Sequence, residues 1–344
     1  MSPRRLALLT GATGFLGRRI LRDLVNEDWS VRCAVRPSSD TDSLATFFGE
    51  RWQEAQQQID FVTGDLANED FCSDITDGVD CVFHAAAALG GSPSSLVLNT
   101  VVPTRSLLTA AASQRARRVV LVSSLGVYGP QKLRRGSVLD ESCPLDDAPA
   151  RRDAYTYSKT LQEEVARSIS AEHGLPLVVL RPGVIYGDER GVLSHRVGLQ
   201  LGPLLLRMGG SQQIPFTYVE NCAAAIVKAG LADDVDGQTI NVVDDSLPTG
   251  REVLRRYRRS GHRLRTIPVP RWAIGCLARF NEWYSRRTED QIPAVLTRHR
   301  ANAMWRPLKY SNDRARRLLK WAPAVSLDEA FQRTLNSTST ESAQ

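Results

Sequence analysis

Short apolar runs alternate with helical patterns along the first 180 residues of the chain. The apolar runs, each suited to a strand buried on both faces, are Leu6 to Thr10, Val31 to Val35, Ile59 to Val62, Cys81 to Phe83, Val119 to Ser123 and Leu177 to Leu180. The clearest helical pattern runs from Tyr155 to Glu172 and is predicted to end at Gly174, since glycine suits a left-handed cap. This alternation predicts βαβ units and a doubly wound parallel α/β sheet.

The pattern weakens after residue 180. Residues 182–213 show no strong period, whereas Val219 to Leu231 predicts a helix and Thr239 to Val243 a further strand. The predicted organisation is a sheet domain over 1–180 with 219–245 returning to it, a smaller and mostly helical lobe over 181–218 and 246–335, and a disordered, Ser/Thr-rich tail over 336–344.

Charge is distributed unevenly along the 344 residues. The net charge of +6 divides into −6 for residues 1–250, +14 for 251–320 and −2 for the remainder. The six cysteines are scattered without disulfide or metal-ligand spacing, and the five histidines form no metal motif, so no metal is expected. No apolar run approaches the ~20 residues of a membrane span, and glycines interrupt the signal-like start. These features predict a soluble, cytoplasmic protein.

The segment Thr10 to Gly17, TGATGFLG, joins the first strand to the first helix. Glycines allow close approach of the backbone to a diphosphate, and the N–H groups that open a helix face its negative charge. The spacing is GxxGxxG, and its position between strand and helix predicts a dinucleotide site. Arg36 ends the second strand, where an arginine favours the 2′-phosphate of NADP(H) over NAD(H).

Tyr155 and Lys159 share one face of the longest predicted helix. A nearby ammonium favours tyrosinate, which would suit acid–base work near neutral pH. An isolated YxxxK pair is more often a surface contact, but Ser123 and Ser124 lie at the carboxyl end of a predicted parallel strand, where ligands bind in such sheets. A hydroxyl there can hydrogen-bond a substrate oxygen beside the tyrosine.

Nine segments together resemble the extended short-chain dehydrogenases/reductases, a superfamily of epimerases and dehydratases that includes 3β-hydroxysteroid dehydrogenases and dihydroflavonol reductases. They are TGATGFLG (10–17), GDL (64–66), HAAA (84–87), Asn99, VSSLGVYG (122–129), YTYSK (155–159), RPGVIYG (181–187), PFTYVEN (215–221) and SNDRARRLLKWAP (311–323). The resemblance covers roughly residues 5–335. It implies a Rossmann-type fold and the branch nearest to those two named enzymes.

The resemblance also implies the roles of individual residues. Ser124, Tyr155 and Lys159 would form the catalytic triad, with Ser123 the adjacent candidate, and His84 is expected to be a backbone-bonded histidine beside the cofactor. The expected dinucleotide contacts are Gly11, Thr13, Gly14, Phe15, Leu16, Gly17, Arg36, Asp65, Leu66, His84, Ala85, Ala86, Asn99, Ser123, Tyr155, Lys159, Pro182 and Val184.

Departures from the family pattern narrow the chemistry. Leu125 and Gly126 stand where sugar-nucleotide dehydratases carry an Asp–Glu pair, which disfavours dehydration. Val184 and Ile214 replace an Asn and an Arg that hold nucleotide diphosphates in related enzymes, which favours a less polar substrate. We expect hydride transfer between NADP(H) and an alcohol/ketone pair on a small molecule. The alternatives are a nucleotide-sugar epimerase that uses bound NAD and a catalytically silent, NADP-binding regulatory protein.

The basic segment leaves the question of partners open. Arginines crowd 251–265 as on a solvated helix face, and without a nucleic-acid module we expect no nucleic-acid partner. Within 270–287, aromatic side chains recur at near-helical spacing among arginines. They predict a core-facing helix, a lid over an apolar substrate, or an amphipathic helix on an anionic membrane surface. The family's four-helix dimers make a homodimer a further expectation.

Overall fold

In the computed structural model the description covers residues 4–202, 204–208, 210–288 and 296–341. The strands are β1 Leu6–Thr10, β2 Ser30–Val35, β3 Ile59–Thr63, β4 Cys81–His84, β5 Arg118–Val122, β6 Val138–Leu139, β7 Leu177–Pro182, β8 Val184–Tyr186, β9 Gly198–Leu201, β10 Leu204–Met208, β11 Phe216–Tyr218, β12 Thr239–Val242, β13 Arg265–Val269 and β14 Lys309–Tyr310.

Helices connect and cover these strands. They are α1 Gly17–Asn26, α2 Ser43–Phe48, α3 Trp52–Ala55, α4 Glu69–Thr76, α5 Pro93–Leu98, α6 Val101–Ser113, α7 Ala154–His173, α8 Val219–Leu231, α9 Gly250–Arg259, α10 Arg271–Arg287, α11 Arg298–Trp305, α12 Asp313–Leu319 and α13 Leu327–Glu341. Helix α7 begins after Asp153, whose carboxylate accepts the Thr156 N–H, and ends at Gly174 with φ +65°, which confirms the predicted stop.

Seven strands form the central sheet in the order β12-β7-β5-β4-β1-β2-β3, and all six pairings are parallel. Successive side chains alternate between its two faces. In β1, Leu9 packs with α1 and α8, whereas Leu8 packs with α4, α6 and α7. Both faces are therefore covered, which explains the continuous apolar runs in the sequence. The predicted α/β fold class is confirmed.

Strands β8, β9 and β10 lie where the sequence shows no strong period. All three are short. β8 pairs with β11 and β10 pairs with β13, which are partners distant in the sequence, whereas β9 and β10 form an antiparallel hairpin. Strands of three to five residues are too short to leave a clear periodic signal. The backbone of 336–341 continues helix α13, which corrects the predicted disordered tail over those residues, while 342–344 lie outside the described residues.

The contact between β8 and β11 depends on Gly183. A Cβ atom at this position would lie 2.0 Å from the carbonyl oxygen of Pro215, while the Gly183 N–H donates to the Val242 carbonyl at 3.0 Å. The central sheet and the lobe therefore meet at a place where no side chain fits. In contrast, a Cβ at Gly275, within α10, would meet nothing within 4 Å.

Gly183→Ala is expected to lower the free energy of unfolding by about 1–3 kcal/mol, because the new methyl group must displace backbone. The matched variant Gly275→Ala should be neutral or stabilise by up to about 1 kcal/mol, since alanine favours helix and meets open space. Urea denaturation of both variants measures the difference. Equal losses in the two variants would contradict the close approach at Gly183.

Candidate active site

The predicted phosphate loop turns tightly between β1 and α1. Gly11 has φ +77°, and its carbonyl accepts the Gly14 N–H at 3.0 Å. A Cβ at Gly17 would lie 1.8 Å from the Gly11 oxygen, and one at Gly11 would lie 3.1 Å from the Ala86 nitrogen. These positions require glycine because backbone approaches backbone. The arrangement leaves a side-chain-free cradle at the N-terminus of α1, which fits a dinucleotide diphosphate.

Most residues predicted to contact the dinucleotide lie along the carboxyl edge of the sheet. They follow, or end, one strand each: Gly11, Thr13, Gly14, Phe15, Leu16 and Gly17 at β1, Arg36 at β2, Asp65 and Leu66 at β3, His84, Ala85 and Ala86 at β4, Ser123 at β5, and Pro182 and Val184 at β7. Asn99 instead ends helix α5, and its amide donates to the Ser95 carbonyl of the same helix at 2.8 Å.

Ser124 and Tyr155 come together at this edge. The Ser124 hydroxyl lies close enough to the Tyr155 phenol to lower its pKa, and Ser124 Oγ accepts the Gly126 N–H at 2.9 Å. Tyr155 lies in the first turn of α7 and is half-buried. Burial raises the pKa of Tyr155, and the neighbouring Ser124 side chain offsets part of this rise. The phenol is thus protonated at neutral pH and able to donate a proton.

Lys159 lies one turn below Tyr155, buried beneath the sheet edge. Its Nζ donates to the Val122 carbonyl and to Gln162 Oε1, both at 2.8 Å. Burial lowers the pKa of Lys159 to about 8, although Glu163 opposes the shift. Asp153 raises the pKa of Tyr155 further and Arg190 lowers it. Stabilisation of tyrosinate by Lys159 stays a prediction.

Gln162 extends the lysine contact into the protein interior. Its Nε2 donates to Thr104 Oγ1 at 2.9 Å, and the Thr104 hydroxyl donates to the Thr100 carbonyl at 2.6 Å. Because that hydroxyl has a single hydrogen, Thr104 must accept the third contact, which comes from His84 Nε2 at 2.9 Å. The hydrogen-bond pattern thus assigns the ring proton of His84 to Nε2.

His84 carries the same network to the phosphate loop. Its Nδ1 accepts from the Thr10 hydroxyl at 2.8 Å, and Thr10 Oγ1 accepts the Ala86 N–H at 3.1 Å. The ring is fully buried, and burial lowers the pKa of His84 to about 3. The expectation of a backbone-bonded His84 is wrong, because both ring nitrogens are bonded to hydroxyl groups inside the fold, and its contact with the cofactor stays a prediction. His84 acts instead as a neutral support.

Ser123 belongs to a different cluster from Ser124. Its hydroxyl donates to Glu163 Oε1 at 2.5 Å, and the same carboxylate accepts from Arg181 Nε at 2.8 Å. The Arg181 guanidinium lies 4.5 Å from the centre of the Tyr128 ring. Because neighbouring strand residues point to opposite faces, Ser123 is drawn into this buried ion pair while Ser124 faces Tyr155. Of the two serine candidates, only Ser124 lies beside Tyr155.

A turn from the lobe lies across the phosphate loop. Arg18 and Arg19, in the first turn of α1, both pair with Glu189. The neighbouring Arg190 lies 4.8 Å from the centre of the Phe15 ring. Sequence reasoning missed Glu189 and Arg190, since neither lies in a recognised motif. The turn holds the lobe against α1 and brings the Arg190 cation beside Phe15.

Val184 and Ile214, the two apolar residues at positions where related enzymes bind a diphosphate, also lie in apolar surroundings. Ile214 is fully buried in a cluster with Tyr186, Phe216 and Tyr218, and Val184 packs against the same cluster. Leu125 is also buried. Among the described residues no group of three or more His, Cys, Asp or Glu side chains is placed to hold a metal ion.

A doubly wound parallel sheet with a glycine cradle and a Ser–Tyr–Lys set at its carboxyl edge defines the class of short-chain dehydrogenases/reductases. The family model described as the NAD dependent epimerase/dehydratase family matches residues 7–242. The chain belongs to that family.

Curated relatives of the chain include reductases. A cinnamoyl-CoA reductase 1 of Petunia hybrida is 28% identical over 225 residues, which cover 64% of this chain and 65% of that protein. A 2-alkyl-3-oxoalkanoate reductase of Stenotrophomonas maltophilia is 27% identical over 349 residues, which cover 95% and 97%. The chain thus spans just under two thirds of the plant reductase and nearly all of the bacterial one.

Solved structures show the same fold. The UDP-glucuronic acid 4-epimerase of Bacillus cereus, in complex with NAD, superimposes with a TM-score of 0.71 at 19% identity and covers 98% of this chain and 99% of that one. Agreement over nearly the whole chain at this identity shows a common architecture for sheet and lobe.

Lys159→Met should change the pH dependence of stability. The folded-state pKa of Lys159 is about 8, whereas an unfolded lysine titrates near ~10.4, so between these values the unfolded chain binds one more proton. The native free energy of unfolding should therefore rise relative to the variant by about 1.4 kcal/mol per pH unit in this window. Urea denaturation from pH 7 to 10 measures it; parallel curves would contradict a lowered pKa.

Proposed function

We propose that the protein is an NADP(H)-dependent reductase that converts a ketone or aldehyde on a relatively apolar small molecule to the alcohol. The observation that carries this proposal is the placement of Ser124 beside Tyr155 at the carboxyl edge of the sheet, with the Lys159 ammonium held below them. The same edge carries the glycine cradle suited to the dinucleotide diphosphate.

The chain's own groups account for the proton. When bound, the reduced dinucleotide supplies the hydride that the carbonyl carbon accepts. The Ser124 hydroxyl hydrogen-bonds the carbonyl oxygen, and Tyr155 transfers its phenolic proton to that oxygen as negative charge develops. Solvent then reprotonates the phenolate. Because burial raises the pKa of Tyr155, the residue is held in the acid form that reduction consumes.

Lys159 supports this step from below the site. Its ammonium is placed by the Val122 carbonyl and Gln162, and the resemblance to other family members implies that it also holds the hydroxyl groups of the nicotinamide ribose. Val122 and Gln162 take two of the three N–H donors of the ammonium, which leaves the third for a ribose hydroxyl. Lys159 thus positions the dinucleotide relative to Tyr155.

The surroundings of the site favour an apolar substrate. Leu125 and Gly126 supply no second acid–base pair, which supports simple hydride and proton transfer over dehydration. Val184 and Ile214 supply no donors for a diphosphate, which supports a reductase over the alternative nucleotide-sugar epimerase. The intact Ser124–Tyr155 pair argues against a catalytically silent binding protein. Reductases among the curated relatives support the same choice.

Arg36 supports the choice of NADP(H). It follows β2 in an exposed turn that is closed by a hydrogen bond from the Ser39 N–H to the Arg36 carbonyl at 2.9 Å, and Ser39 Oγ accepts the Arg36 N–H at 3.1 Å. No carboxylate occupies this strand end to bind a free ribose 2′-hydroxyl. A guanidinium at the same place suits a 2′-phosphate.

NADPH should bind the native protein more tightly than NADH, and Arg36→Ala should remove most of the difference. Loss of a charge-assisted contact predicts an NADPH affinity lower by about 10–100-fold, with NADH affinity little changed. Arg117→Ala, which removes an exposed arginine just before β5 at the opposite sheet edge, serves as the control. Fluorescence titration gives both affinities. Equal native affinities for the two dinucleotides would rule out the assignment of Arg36.

Tyr155→Phe should reduce turnover by about 10²–10⁴-fold while NADPH still binds, since only the proton donor is removed. The matched control is Tyr157→Phe, two residues along the same helix and outside the Ser124 contact. Substrates would come from an NADPH oxidation screen over ketones, aldehydes, steroids and nucleotide sugars. Substantial residual turnover in Tyr155→Phe would sink the proposed mechanism.

A further inference from the structure

Helix α10 presents its aromatic side chains to solvent. Within the described residues ten large hydrophobic side chains are exposed, and five of them lie on this one helix: Trp272, Leu277, Phe280, Trp283 and Tyr284. Trp272 is 74% exposed and Phe280 62%. Large apolar side chains that gather in one exposed patch mark an interaction surface.

The opposite side of α10 is the one that packs against the protein. Ile274 and Ala278 are buried, and Ile274 packs with Met208 of β10 and Trp305 of α11. Glu282 accepts the Arg298 N–H at 2.7 Å, which ties the helix to the start of α11. Ile274, Ala278 and Glu282 therefore hold the helix against the protein, and its aromatic face remains outside. The core-facing orientation considered for 270–287 is wrong for these aromatic side chains.

The exposed side chains form one continuous arc of the helix. At 100° per residue, Trp272, Phe280 and Trp283 fall on the same side, and the Phe280 ring lies 5.8 Å from that of Trp283. Two exposed arginines, Arg279 and Arg287, fall on the same arc. The only acidic residue of the helix, Glu282, lies outside the arc.

We propose that this outer arc of α10, called here the aromatic arc, docks the protein on an anionic membrane surface. Tryptophan, tyrosine and phenylalanine favour the boundary between headgroups and acyl chains, and arginine side chains extend from there to phosphate groups. A second copy of the chain fits less well, because a symmetric contact would bring the arginines of two arcs together. Anionic headgroups are complementary to the same arginines.

The proposed contact is with the surface of the membrane and does not cross the bilayer. No helix in the described part of the chain is long and apolar enough to cross a bilayer. Net charge of +14 over 251–320 adds long-range attraction to the same lobe. The inference does not depend on the proposed reductase activity, since it concerns the outer surface of the lobe and not Tyr155.

Co-sedimentation of the full chain with vesicles tests the proposal. Native protein should pellet with mixed phosphatidylcholine–phosphatidylglycerol vesicles, less with phosphatidylcholine alone, and less at high salt. The triple variant Trp272→Ala, Phe280→Ala and Trp283→Ala should bind at least about tenfold more weakly, because the apolar contact is lost. Val138→Ala, an exposed apolar position outside α10, should bind as the native protein does.

The electrostatic arm uses two pairs of arginines. Arg279→Gln with Arg287→Gln should weaken binding to anionic vesicles by about 10–30-fold, at about 1 kcal/mol for each arginine near the surface. Arg51→Gln with Arg117→Gln removes the same charge from elsewhere on the surface and should have a much smaller effect.

Three results would overturn the proposal: no lipid-dependent pelleting of the native protein, equal pelleting by the aromatic triple variant, or equal weakening by the two arginine pairs. Light scattering after gel filtration adds a fourth. A native dimer that the aromatic substitutions convert to monomer would show that the arc covers a second copy. Circular dichroism and NADPH binding of the triple variant confirm that it is folded, and they separate failure of this proposal from failure of the proposed activity.

Discussion

Burial of one ammonium group beneath the active site constrains much of the surrounding structure. A lysine that leaves water must find acceptors for its protons, and Lys159 finds the Val122 carbonyl and Gln162. Gln162 in turn requires Thr104, which requires a histidine with its proton on Nε2. The position of the catalytic edge and the tautomer of a ring behind it therefore follow from the same requirement that buried polar groups be paired.

A second buried network serves the other side of the same edge. Glu163, one residue beyond Gln162, is paired with Arg181 and receives the Ser123 hydroxyl. Two successive residues of one helix thus fix two different systems: the amide holds the lysine, and the carboxylate anchors β7 beside β5. Ser123 belongs to the carboxylate network, whereas Ser124 lies beside Tyr155. Such fully paired networks hold a site rigidly in place.

The sequence predicts the sheet, the cradle and the Tyr155–Lys159 pair well, because each has a local signature of period, glycine spacing or helical spacing. It does not reveal Gln162 or Glu189, whose partners are brought near only by folding. For α10 the helical period is visible in the sequence, but a period alone does not say whether the aromatic stripe faces inward or outward. The side of the helix that faces inward is set by other residues, such as Ile274 and Ala278, which are buried. His84 shows the same limit, since its motif predicts the position but not the contacts.

The last strand of the central sheet, β12, comes from Thr239–Val242, far along the chain from its neighbour β7. Until a ribosome has made this strand, the apolar edge of β7 has no partner on that side. An unpaired edge of this kind readily pairs with other chains. Synthesis of the protein therefore includes an interval, while residues between 182 and 239 are added, in which six of the seven strands exist and the edge of β7 is unpaired. During this interval the edge must be shielded from aggregation. A chain truncated between these residues would keep that edge open permanently.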